Sequence, residues 1–207
     1  MEAERGGGTE RLVFFSDAVV AIAMTLLVLP LIEIPRGVHD TAALLADRWP
    51  EYLDFAISFF VIARLWWSHH GVFEHVVRWN VPLVVTDVLW LFTIVSFPVA
   101  TALNTSGGAR DRLALGVYLG VMTVCSAFLT AMSLIIRRSP VLTDGGDDRA
   151  LRRLVGSANT TGVFAVALVL AVCFPRIGPW FLLLLLLSGV LDRTVMRIVQ
   201  RRAAPAV

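Results

Sequence analysis

The sequence predicts an all-α membrane protein of six transmembrane helices, and three observations carry that prediction. Hydrophobic residues make up 57% of the 207-residue chain. Charged residues make up only 16%, well below the roughly 25% that covers an ordinary soluble domain. The apolar residues are gathered into runs of about 20, the length a helix needs to cross a hydrocarbon core of about 30 Å.

The runs are Leu12–Ile34, Tyr52–Phe73, Val81–Leu103, Leu113–Ile136, Leu154–Phe174 and Ile177–Val199, and together they form one transmembrane domain over residues 1–207. The first is too long for a signal-peptide core and contains Asp17, so it reads as a mature helix. Helix-breaking residues punctuate the connections: Ile34-Pro35-Arg36-Gly37 after the first run, Asn104-Thr105-Ser106-Gly107-Gly108 after the third, and Pro175-Arg176-Ile177-Gly178-Pro179 between the last two. On the fourth run, Gly116 and Gly120 have the spacing that lets helices approach closely.

All 18 basic side chains are arginines. With the N-terminus in the cytoplasm, twelve of them fall in cytoplasmic segments and five in outer ones, which fixes the orientation by the positive-inside rule. Six spans return the C-terminus to the same side. The arginines form no basic face interleaved with aromatics, so nucleic acid is not an expected partner. The two cysteines lie in apolar runs and offer neither a metal spacing nor a disulfide framework.

Ionisable groups inside spans cost about 2.5–3.5 kcal/mol each at mid-bilayer and need partners. Asp17 on the first span, His69 and His70 on the second and Asp87 on the third all come out at one level, near the cytoplasmic surface. Carboxylate–imidazole hydrogen bonds would relieve the desolvation of both. Such a cluster serves either to hold helices together or as a proton or ion site. Arg64, deeper in the second span, has three outlets: snorkelling, an acid partner or a neighbouring subunit.

At 100° per residue, Arg11, Phe15, Ala18, Ile22, Leu26, Leu29 and Glu33 fall within about 40° of one line along the first span, and Asp17 points roughly 140° away. One face is therefore polar at Asp17, and the other is an apolar stripe ending in an acidic group. Such a stripe faces lipid, ordinary packing or, in an oligomer, a pore. Thr25 lies about 60° from the line, at its edge.

The segment Arg11-Leu12-Val13-Phe14-Phe15-Ser16-Asp17 matches the R-x-x-x-F-S-D signature of the transmembrane protein 175 family, which comprises lysosomal potassium channels and shorter bacterial relatives. The continuation Ala18 to Leu26 resembles that family's pore helix, and Trp66-Trp67-Ser68-His69-His70 resembles its second helix more loosely. The resemblance implies a homotetrameric, potassium-permeable cation channel in the bacterial plasma membrane, with the first helix lining a central pore. It assigns the main constriction to Ile22, with further layers at Leu26 and Leu29, while the helical projection puts Thr25 at the pore edge and Glu33 at the outer mouth. It places Arg11, Phe15, Ser16 and Asp17, with His69, His70 and Asp87, in a structural polar network. Asp87 departs from the neutral polar residue expected there.

The implied partners are potassium and other monovalent cations, the lipid bilayer and further copies of the chain. No cofactor is implied, and no metal beyond the permeating ion. The T-V-G-Y-G carbonyl filter is absent, so selectivity for potassium over sodium is expected to be modest, with a hydrophobic gate as the barrier. A proton-coupled transporter built on the Asp/His cluster is the alternative. An enzyme is not expected: neighbouring helix residues point about 100° apart, so Ser16 and Asp17 do not converge on one histidine, and no G-x-S-x-G or H-E-x-x-H run occurs.

Overall fold

In the computed structural model, residues 3–32, 40–107, 111–143 and 147–173 are described. They form seven α-helices: α1 (Ala3–Leu26), α2 (Leu29–Ile32), α3 (Thr41–Asp47), α4 (Trp49–Phe73), α5 (Val81–Gly107), α6 (Arg112–Arg138) and α7 (Asp147–Cys173). A 3-10 turn, Pro140–Leu142, joins the last two. Three stretches (Gly7–Ile32, Val81–Ser106 and Arg112–Arg138) are long and apolar enough to cross a membrane. α4 is 25 residues long, about 38 Å at 1.5 Å per residue, but Arg64, His69 and His70 make it less apolar. The sixth expected span, Ile177–Val199, lies outside the described residues.

Local chemistry sets the helix ends. The Asp40 carboxylate accepts from the Ala42 and Ala43 amides at the start of α3. Asp111 does the same for Leu113 and Ala114 at the start of α6, and the Asn80 side chain accepts from the Leu83 amide at the start of α5. Each satisfies amides that a helix N-terminus leaves without partners. α1 starts at Ala3, nine residues before the apolar run, in spite of three consecutive glycines. At Gly8 a β-carbon would stand 2.8 Å from the Trp79 indole nitrogen, so the bare backbone lets that ring lie against the helix.

The first span is not one helix, contrary to expectation. α1 stops at Leu26 and α2 begins at Leu29. Pro30 has no amide hydrogen to bond the Leu26 carbonyl, and a proline disfavours helical backbone in the residue before it. The break is closed by three-residue turns instead: the Val28 amide donates to the Thr25 carbonyl at 3.3 Å and the Leu31 amide to that of Val28 at 2.9 Å.

α5 packs against α1, α4 and α6, and α6 carries α7. The core consists of Val20, Ala23 and Leu27 from the first span, Ile62 and Leu65 from α4, Trp90, Ile94 and Phe97 from α5, and Leu119, Met122, Cys125, Leu129 and Met132 from α6. Each set recurs every three or four residues, as one face of a helix requires. Hydroxyls knit α6 to α7: Thr161 lies 2.9 Å from both Ser126 and Thr130. Gly116 and Gly120 have no other side chain or backbone within 4 Å of an added β-carbon among the described residues, so the close contact expected there is not formed between them. The packed face of α6 is the one carrying Tyr118, Leu119 and Met122. The α4–α5 and α6–α7 connections are also joined, since the Val77 and Arg78 amides both donate to the Leu142 carbonyl.

Candidate functional site

The polar groups expected at one level do meet there, but as two separate clusters. The first is wholly buried. The Asp87 carboxylate lies 2.6 Å from His69 Nε2, with neither side chain exposed, and Ser16 Oγ lies 3.0 Å from its other oxygen. Asp87 and Trp90 stand three residues apart on α5, so one helix face presents both a carboxylate and an indole to the same imidazole. The His69 and Trp90 rings stack at 4.1 Å with 8° between planes. With Nε2 directed at the carboxylate, the imidazole donates from that nitrogen; Nδ1 has no hydrogen-bond partner among the described residues. Ser16 Oγ is also 3.0 Å from the Leu12 carbonyl, so its single hydrogen is shared between two acceptors.

The second cluster is half-exposed. Trp66 Nε1 donates to Asp17 Oδ1 at 2.7 Å, and His70 Nδ1 lies 3.6 Å from the same oxygen, with side-chain exposures of 51% for His70 and 29% for Asp17. Trp66 and His70 are four residues apart on one face of α4, and their rings are 5.4 Å apart. Ser16 and Asp17 thus turn to different clusters, Ser16 to Asp87 and Asp17 to Trp66 and His70, as adjacent helical residues about 100° apart must. Trp66→Phe is expected to lower the thermal midpoint in detergent by the loss of one part-buried hydrogen bond, about 1 kcal/mol. An unchanged midpoint would mean that the indole contributes nothing to the clamp.

Arg11 and Phe15, assigned to the polar network from the sequence, do not join it among the described residues. Both are exposed on the opposite face of α1; Phe15 sits about 100° round the helix from Ser16, and its ring has no hydrogen-bonding group. Trp66 was missed as a donor, although its four-residue spacing from His70 was legible. Arg64 Nη1 donates to Ser68 Oγ one turn along α4, toward the polar clusters.

Phe15, Ala18, Ile22, Leu26 and Leu29 are all exposed, and Ile22 reaches 59%. Ser16, Val20, Ala23 and Leu27, on the other face, are buried to within 2%. The first span is therefore two-sided, as its periodicity predicts. Thr25 is exposed and donates to the Ile22 carbonyl at 2.7 Å, which uses its hydrogen and keeps its lone pairs as acceptors. Glu33 lies outside the described residues.

Farther along α4 is a polar set that the sequence reading did not single out. Asp54 accepts from Asn104 at 3.3 Å and Thr105 at 3.1 Å, while Ser58 lies 2.9 Å from both Thr101 and Tyr118. A charged residue just inside the second apolar run was the available signal. Arg48, where α3 meets α4, donates from Nη2 to the Pro30 carbonyl at 3.0 Å and pairs with Glu51.

Residues 11–98 match the family model described as endosomal/lysosomal potassium channel TMEM175. A potassium channel of Streptomyces collinus is 31% identical over 165 residues, covering 77% of this chain and 80% of that one. A potassium channel of Chamaesiphon minutus is 38% identical over 132 residues, 58% of this chain and 62% of its own length. The endosomal/lysosomal proton channel TMEM175 of Bos taurus is 33% identical over 100 residues, which is 44% of this chain but only 21% of the bovine protein. Among solved structures, a lysosomal potassium-selective channel TMEM175 homolog from Chamaesiphon minutus superposes with a TM-score of 0.78 at 24% identity, covering 90% of this chain and 98% of the other. At that identity the likeness is one of fold.

Proposed function

The chain belongs to the TMEM175 family, and on that premise we propose that it is a potassium-permeable cation channel of a bacterial plasma membrane. The observation that carries this reading is the two-sided first span. One side is locked to α4 and α5 through Ser16 and Asp17, and the other leaves an apolar row with no covering among the described residues. A single row encloses nothing, so the reading requires four copies arranged about an axis. Each contributes six spans with both termini in the cytoplasm, and the polar clusters lie toward that side.

In this assembly four Ile22 side chains form the narrowest ring, followed outward by Leu26 and Leu29. The Thr25 hydroxyl oxygen stands at the wall, and Glu33 at the outer mouth concentrates cations. An apolar ring excludes water when narrow and conducts when wide enough to hydrate. Dehydration across it disfavours the more strongly hydrated sodium ion, which gives a modest preference for potassium. The Ser16–Asp87–His69 and Asp17–Trp66–His70 clusters hold the ring's orientation. Asp/His groups also suit a proton-coupled transporter, and the test separates the two.

The purified full chain, reconstituted into potassium-loaded liposomes, is expected to release potassium down its gradient without saturation and without a proton gradient. Its mass in detergent is expected to be that of a tetramer. Flux that saturates and follows an imposed pH gradient would replace the channel with the transporter.

A further inference from the structure

The first span contains two rigid pieces with different fastenings. α1 is held by Ser16 against Asp87 and by Asp17 against Trp66. Beyond the break, α2 has no buried residue, and Pro30 and Leu31 are only partly covered among the described residues. Its visible fastening is the Arg48 guanidinium on the Pro30 carbonyl, at 3.0 Å. Arg48 is itself anchored: it pairs with Glu51, its amide donates to the Leu44 carbonyl, and its side chain is 14% exposed.

From this we infer that Arg48 is the positioning residue for the Leu29 ring, setting the outer constriction independently of the Ile22 ring. The inference rests on the pore reading above. Between the two rings the helical ladder is interrupted, and the long 3.3 Å contact from the Val28 amide to the Thr25 carbonyl bridges the gap. Motion of α2 is therefore not transmitted rigidly to Ile22. The guanidinium suits this role: its contacts with the Pro30 carbonyl and Glu51 both come from Nη2, and the planar group holds that nitrogen in a fixed orientation, which an ammonium on a flexible stem does less well.

The test compares Arg48→Met and Arg48→Lys in the full-length channel, with Cys125 and Cys173 replaced by serine and a nitroxide placed at Leu29→Cys or at Ile22→Cys. Distances between labels within the assembly are measured by pulsed electron paramagnetic resonance. Arg48→Met is expected to broaden or shift the position-29 distances and leave those at position 22 unchanged, with Arg48→Lys in between. In liposomes Arg48→Met is expected to change potassium flux several-fold in an Ile22→Asn background, where the inner ring is relieved, and little where Ile22 remains. Equal changes at both positions, or none at position 29, would overturn the role of Arg48. Position-22 distances incompatible with a fourfold ring before any Arg48 change would instead overturn the pore reading, and the inference with it.

Discussion

Ile22→Asn is expected to raise potassium flux through the reconstituted protein about tenfold or more, and to remove most of its preference over sodium. A tenfold change needs only about 1.4 kcal/mol off the barrier. Four amides that can hydrate or ligate an ion, in place of four sec-butyl groups that do neither, change the barrier on at least that scale. Ile22→Ala removes bulk without adding polarity and should fall between. Stability should hardly change, because Ile22 lies outside the core. The same substitution at Val20, only two residues away and 2% exposed, is expected to damage folding instead. Flux with unchanged rate and selectivity in both Ile22 variants would remove this side chain from the pore.

The second large effect is at Asp87. Asp87→Leu leaves His69 Nε2 without an acceptor in a site of zero exposure and deprives Ser16 of one of its two partners. A buried donor without a partner costs about 1–3 kcal/mol, and the leucine must also fit a space shaped for a planar carboxylate beside a stacked pair of rings. Asp87→Asn is expected to fold normally. Its amide oxygen accepts from His69, its amide nitrogen donates to Ser16, and Ser16 is then free to donate to the Leu12 carbonyl. Thermal midpoints in detergent, read beside tetramer yield, check both. A destabilisation by asparagine as large as that by leucine would mean that the cluster depends on charge and not on hydrogen-bond complementarity.

Much of this was legible in the sequence because helices in lipid obey simple periodicity. The division of the first span into buried and exposed faces follows from 100° steps, and the meeting of Asp17, His69, His70 and Asp87 at one level follows from span depth. Three things were hidden, each for a physical reason. Span depth fixes a level but not a partner, so the separation into Asp87–His69 and Asp17–His70 pairs awaited the packing of α4 beside α1 and α5. The interruption at Leu27–Val28 turned on a local contest between Pro30 and an otherwise continuous apolar run, which a hydropathy reading passes over. The extension of α1 back to Ala3 runs through three glycines of poor helix propensity (about 0.5–1 kcal/mol each), where Gly8 meets Trp79, which is remote in sequence.

The division of Ser16 and Asp17 between two partners also bears on how such a chain can vary over time. Between this clamp and Ile22 the helix runs without interruption, so each inserted or deleted residue would turn the constriction by about 100° and shift it by about 1.5 Å relative to the clamp. Side-chain identity at the ring can drift and still leave a graded barrier, whereas a change of spacing aims the row at a neighbouring helix or at lipid. What this stretch of chain has to transmit across generations is therefore an angle, counted in whole residues, more than any one residue's chemistry.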